Sequence, residues 1–274
     1  MRALGLWIAG FMAAFSELSH ASEKIVVAAF EYPPIYQNAR DKGLSGDIAV
    51  AAFKAVGIDA ELEFLPVARM ISSVANGQRL CGIGGAVLFE APETARKVRV
   101  GSVLQYVSQT FVYDARKYPG GIAFSSLDQM GAYKIGVLLS SGIMKLLQKT
   151  PGLQLDPNTT HPGSARQLQL GRIDLWAVVD LTGHMVLDEL FPNEAQHYRH
   201  TAAYHLGDVS MVCSLERDPK GAYPTRFAEG LATIKKNGTY MQIMAKYYGG
   251  REKINPDSLP DDMKPVSRGK AATP

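Results

Sequence analysis

Only two cysteines, Cys81 and Cys213, occur in the 274 residues. They do not form a C-x-x-C pair, and no His lies near either at ligand spacing, so a Cys/His zinc site is not expected. A G-x-S-x-G elbow, an H-E-x-x-H pair and a P-loop are also missing. The usual sequence signs of a hydrolase, a metalloprotease or a nucleotide-binding enzyme are therefore lacking. Glu31, Glu90 and Glu93 are the acids left to serve an active site, if there is one. Beyond residue 21 no stretch reaches the ~18 unbroken apolar residues of a membrane-spanning helix. The net charge is only +3, with Lys and Arg scattered, which leaves no basic stripe for nucleic acid.

What is present begins with a leader pattern. Arg2, an apolar run over residues 3–15 and the ending Ser19-His20-Ala21 follow the order of a secretory signal peptide. Residues 1–21 are expected to be removed after Ala21. The run is too short to cross a bilayer. The next residue, Ser22, is not a cysteine, so no lipid anchor is expected. Export leads to an oxidising compartment, where an even cysteine count favours pairing. Two buried reduced thiols are the alternative. An apolar content of 46% supports a sizeable core, and about 250 mature residues allow one large domain or two smaller ones.

Residues 24–29 form a short β-type run that stops at Tyr32-Pro33-Pro34. Ile48, Ala51, Ala52, Ala55 and Val56 recur at helical spacing behind Leu44-Ser45-Gly46-Asp47, and Gly57 closes that helix. Residues 60–64 read as a strand, 66–75 as a helix stopped by Asn76-Gly77, and 80–86 as a third strand. This β-α-β-α-β order argues for a parallel sheet faced by helices. A second unit follows Tyr118-Pro119-Gly120-Gly121. It offers a strand at 134–139, helices at 143–149 and 164–170, and a buried strand at 173–179. Residues 209–214 read as a further strand before the closing helices. Residues 74–81 and 168–175 echo one another as helix end, Gly, basic residue and strand. The echo fits two similar lobes, or simply the common outline of an α-to-β turn. From Arg251 onward, Pro, Asp, Lys and Ala without apolar periodicity predict a flexible tail over 251–274.

Residues 236–249 are the most telling stretch. They read as a helix end, a break at Gly238, and a second helix closed by Gly249. The wording N-G-T-Y-x-x-I-x-x-K-Y-Y-G resembles the closing signature of bacterial extracellular solute-binding proteins of the amino-acid (family 3) type. Four further segments resemble that family in order: Tyr32-Pro33-Pro34, Leu44-x-Gly46-Asp47, Ile135-Gly136-Val137 followed by Ser140-Ser141, and Leu168-x-x-Gly171-Arg172-Ile173-Asp174. The resemblance covers nearly all of the mature chain. It implies an α/β, two-lobed type 2 periplasmic-binding-protein fold, each lobe a mainly parallel sheet flanked by helices. Lobe 1 is expected from residues 22–113 plus 208–250 and lobe 2 from 114–207, with hinges near 111–115 and 205–209. Cys81 and Cys213 then fall on neighbouring strands of one sheet, which implies a disulfide or at least close contact between them.

The resemblance also implies a ligand site between the lobes. The turn Ser140-Ser141 would hold a ligand carboxylate with backbone N–H groups at a helix start; otherwise its serines are plain helix caps. Arg96 would fork that carboxylate, but Thr94 and Arg96 sit one residue closer than the family's T-x-x-R. Arg99 and Arg69 remain alternatives. Asp180 is the candidate for a ligand ammonium. It lies six residues after Asp174 where the family has about five, which would turn a strand residue to the other face. Asp174 itself reads as structural. Tyr32 is the aromatic wall at the end of the first strand. Gly84 and Gly85 allow close approach at the same edge. Trp176 either lines the cleft or packs in a core. The implied role is capture of a small polar solute, an amino acid or related compound, in the periplasm for an inner-membrane ABC permease. No cofactor and a monomer are expected. A ligand sensor for a signalling receptor and a dehydratase-type cleft enzyme are the alternatives.

Overall fold

The computed structural model of the chain describes residues 23–264; the expected signal peptide lies outside them. Chain order is β1 (Glu23–Ala29), α1 (Leu44–Lys54), β2 (Ile58–Phe64), α2 (Val67–Ala75), β3 (Cys81–Gly84), α3 (Pro92–Ala95) and β4 (Val98–Asp114). Then come β5 (Lys134–Leu138), α4 (Gly142–Leu147), β6 (Gln154–Asn158), α5 (His161–Gln169), β7 (Leu175–Val179) and α6 (Asp180–Leu190). The chain continues through β8 (Tyr198–His200), β9 (His205–Ser214), α7 (Ala222–Lys236) and α8 (Thr239–Tyr248). The strands are ordered β2-β1-β3-β9-β4-β7-β5-β6, with β8 beside β4.

Two parallel units stand at the ends of this order. One is β2-β1-β3 and the other β7-β5-β6. Between them β4 and β9 run antiparallel, paired from Val98↔Ser214 to Gln109↔His205. β4 has 17 residues and is long enough to serve both units, since a strand rises ~3.3 Å per residue. Its last part, Gln109 to Val112, pairs with β7. The result is a two-lobed α/β architecture whose lobes share two crossing strands. The sequence reading assigned no strand to residues 98–114. Register shifts at Val100/Val103 and Val103/Gln105 break the alternation on which such a reading depends.

The resembling motifs meet in space. Asp47 of the L-x-G-D segment accepts hydrogen bonds from Lys246 Nζ and Tyr247 Oη, both at 2.8 Å, so α1 and α8 are locked together. The buried Tyr240 donates its hydroxyl to the Leu104 carbonyl at 2.9 Å. The closing signature thus clamps the first lobe to a crossing strand. Gly136 leaves room for Ile173: a Cβ there would lie 2.4 Å from Ile173 Cδ1. Asp174 accepts from the Tyr118 hydroxyl and the Lys134 amide, both at 2.9 Å, and pairs with Lys117. That fits its structural reading.

Cys81 and Cys213 face each other in register on β3 and β9 and are joined by a disulfide. Both are buried in an apolar core that extends from Val27, Ile48 and Phe53 to Ile135, Val137 and Leu147 of the second lobe. A separate core of Val112, Ala165, Leu168, Trp176, Val178 and Leu187 lies around β7, α5 and α6. The expectation of an unpacked tail from Arg251 is corrected for residues 251–264. Ile254 and Leu259 are buried, and Tyr248 Oη donates to Ser258 Oγ at 2.7 Å. Two isolated apolar side chains are too few to register as a periodic pattern, which is why the sequence concealed this packing.

Candidate functional site

A cavity of about 120 Å³ lies between the two units, at the C-terminal end of β1 and the N-terminal end of α4. The first unit contributes Phe30, Tyr32, Ile35, Tyr36, Gly85 and Leu88. The second contributes Leu138, Ser141, Gly142, Ile143 and Leu146, and the crossing strands add Val107, Gln109, Asp208 and Val209. Side chains of both lobes therefore meet around one space, and most are apolar. This is the usual composition of a small-molecule pocket, in which a few fixed polar groups set orientation.

Tyr32 and Tyr36 are held by reciprocal backbone hydrogen bonds of 2.8 and 3.0 Å. Tyr32 is buried and its ring meets the His161 ring edge-on at 4.4 Å. Its hydroxyl approaches the backbone of Val179 without reaching hydrogen-bond geometry, and burial raises its pKa. His161 opens α5 in the second lobe. Both its ring nitrogens are buried without partners, and desolvation pushes its pKa down to about 4. Gln109 Oε1 is buried without a partner, and Tyr36 Oη approaches the Ser45 side chain without reaching hydrogen-bond geometry. The Tyr36 pKa is raised well above its ordinary value by burial, with the nearby Asp208 charge adding to it.

Asp208 anchors the polar side of the cavity. Its carboxylate accepts the Ala86 amide at 3.0 and 3.2 Å and the Ser210 hydroxyl at 2.6 Å. Gly85 permits this approach, because a Cβ there would stand 3.1 Å from the Asp208 carbonyl oxygen. Opposite, Ser141 caps α4. Its Oγ accepts the Met144 amide at 3.1 Å, and its own amide donates to Leu138 at 3.2 Å. Outside the cavity lining, Lys149 of the second lobe pairs with Glu90 of the first at 3.2 Å, both well exposed.

Of the residues singled out from sequence, Tyr32, Gly85 and Ser141 line the cavity together. Glu31, named from sequence as a spare acid, lines it too; the other ligand candidates do not. Gly84 lies beneath Leu88 on the buried face of β3. Ser140 is exposed at positive φ, 62°. Arg96, just after α3, and Arg69, on α2, are both exposed. Arg99 donates to the Pro219 carbonyl at 3.3 Å. Trp176 has no exposed surface and belongs to the second core. Asp180 is the first residue of α6 rather than a strand residue, so alternation of faces does not apply to it. It accepts from its neighbour Leu181 at 2.7 Å and from Asn255 at 3.2 Å. Burial raises its pKa against those bonds. An acid in the first turn of a helix suits the helix dipole. Tyr36, Gln109 and Asp208 were missed. The one available signal was an aspartate immediately before the strand expected at 209–214.

Among the described residues no group of three or more Cys, His, Asp or Glu is placed to hold a metal ion, and no helix is long and apolar enough to cross a membrane.

No protein-family model and no curated protein matches the sequence. Solved structures do match. A substrate-binding protein of an amino acid ABC transporter aligns with TM-score 0.62 at 18% identity, over 82% of this chain and 99% of the other. A histidine kinase sensor domain similar to periplasmic binding proteins aligns with TM-score 0.66 at 19% identity, over 83% and 96%. An ancestral amino acid-binding protein, a precursor of cyclohexadienyl dehydratase, gives TM-score 0.64 at 16% identity, over 82% and 95%. With nearly the whole of each neighbour spanned and the crossing-strand topology in place, this chain has the type 2 periplasmic-binding-protein fold.

Proposed function

We propose that the protein is a periplasmic solute-binding protein that closes its two lobes over a small molecule and presents the closed form to an ABC-type permease. The observation that carries this reading is a cavity walled by Tyr32, Tyr36 and Gly85 from one lobe and Ser141, Ile143 and Leu146 from the other. A solute touching both walls favours the closed state by its differential contacts, which is the thermodynamic requirement for closure on binding. The lobes are taken as residues 22–113 plus 208–250 and 114–207. The crossing strands β4 and β9 act as the hinges. The likeness to a binding protein of an amino acid ABC transporter supports transport. The likeness to a histidine kinase sensor domain supports a second reading, in which the closed form engages a receptor.

A thermal-shift screen of amines, amino acids, small peptides and organic acids tests the reading, followed by calorimetry on each compound that raises Tm. Binding of one class at one site per chain, weakened in Tyr32→Ala without loss of fold, is the expected result. Conversion of the bound compound to product would instead select the dehydratase-type alternative. Co-purification with permease subunits rather than with a receptor distinguishes the two binding readings.

A further inference from the structure

The charge of the cavity has a sign. Asp208 is fixed in its wall, and Glu31 stands exposed at its rim. Among the described residues neither carboxylate has a salt-bridge partner, and no Lys or Arg lines the cavity. The donors that reach Asp208, the Ala86 amide and the Ser210 hydroxyl, are neutral. They orient the carboxylate and leave its charge uncancelled. The one lining side chain able to carry positive charge, His205, is exposed. The buried polar atoms without partners, Gln109 Oε1 and the Tyr36 and Tyr32 hydroxyl oxygens, can all accept a hydrogen bond. Gln109 and Tyr32 are each 7% exposed, and Tyr36 4%. The rest of the lining is apolar: Phe30, Ile35, Leu88, Leu138, Ile143 and Leu146. A free carboxylate entering this space would meet like charge and no guanidinium. Ser141 accepts the Met144 amide with its Oγ and keeps one neutral O–H donor, which does not cancel the Asp208 charge. A cationic donor has the reverse fortune, since an ionised group taken out of water must be paired and hydrogen-bonded.

Resting on the solute-binding reading of this cavity, we propose that its ligand is an organic ammonium ion with an apolar body and without a carboxylate. The ammonium faces Asp208, the acceptor oxygens of Gln109 and Tyr36 complete its hydrogen bonds, and Glu31 contributes from the rim. The apolar body lies against Leu88, Leu138, Ile143 and Leu146.

The test is calorimetry on the exported protein with three compounds of similar shape: 2-phenylethylammonium, 2-phenylethanol and 3-phenylpropanoate. L-Phenylalanine serves as the zwitterion. The ammonium compound is expected to bind at least tenfold more tightly than the alcohol, the carboxylate or the zwitterion, since one charge-assisted hydrogen bond is worth about that or more. Asp208→Asn should lose at least tenfold for the ammonium compound and Glu31→Gln a smaller factor. Glu31 is exposed, so its variant is expected to fold as the parent does. Tighter binding of the carboxylate or the zwitterion, or an ammonium affinity unchanged in both variants, overturns the proposal. So does an absence of ammonium binding. If the screen then finds an anion or zwitterion whose binding depends on Tyr32, the solute-binding reading stands and only the ligand class falls.

Discussion

Closure of the lobes should depend on pH through His161. In this structure its ring is buried against Tyr32 of the opposite lobe, with both nitrogens unpartnered, the arrangement taken for the closed form. Its neighbours are the Tyr32 ring and the Trp176 ring, at 4.4 and 5.9 Å between centroids, and burial is the cause of its depressed pKa of about 4. Opening that withdraws Tyr32 returns the imidazole to water and to its ordinary value of ~6.5. A depressed pKa favours the neutral, closed form. The contribution to closure is therefore complete above pH ~6.5 and is lost as pH falls from there towards ~4. Between pH ~7.5 and ~5 the two values imply a weakening of about thirtyfold, or about 2 kcal/mol. The assay is calorimetry across that range with a solute from the screen that does not itself titrate there. His161→Phe keeps a ring against Tyr32 and should flatten the profile. His200 is also held low, near 3, by burial and by His184. Its contacts, Thr110 at 2.8 Å and the His184 ring, lie within one end of the sheet. It should therefore mark unfolding rather than closure. An affinity equal at both pH values, or a slope that persists in His161→Phe, would refute this reasoning.

Three further outcomes are expected. Replacing both Cys81 and Cys213 by Ala opens a loop of 132 residues; chain entropy puts the loss at about 5 kcal/mol at most, with 2–4 typical. A fall in Tm of roughly 5–15 °C should follow, and a change under 2 °C would show that the crosslink constrains little. Asn255→Ala removes the donor that ties the 251–264 segment to Ser108 and Asp180 at 2.9 and 3.2 Å. It should cost about 1–3 kcal/mol in urea unfolding, whereas no change would mean that the segment is not docked in solution. Arg96→Ala should leave solute affinity within twofold, since Arg96 is exposed and outside the cavity lining; a tenfold loss would return it to the site.

The fold was readable because its signals are local. Gly77 and Gly171, both at φ 67°, end α2 and α5 where the echo between residues 74–81 and 168–175 placed them. Gly238 and Gly249 likewise bound α8. The disulfide followed from strand neighbours that the resemblance implied and the register supplies. The candidate site was only partly readable. Tyr32 and Gly85 follow strands whose ends the prolines and glycines mark. Gln109 and Asp208 lie on β4 and β9, whose pairing joins segments about a hundred residues apart and so leaves no local signal. Arg96 and Asp180 were carried by motif spacing alone, and an offset of one residue is enough to move a side chain from cleft to surface or from strand to helix.

The most direct measurement of the central claim is a distance between the lobes with and without solute. Spin labels at Arg69→Cys on α2 and Gln148→Cys beyond α4 occupy exposed positions on opposite sides of the cavity. Pulsed electron spin resonance should give a longer, broader distribution for the free protein and a shorter, narrower one once a bound solute bridges Tyr32 and Ser141. The same distribution in both states, with calorimetry showing the solute bound, would contradict closure of two lobes on a ligand.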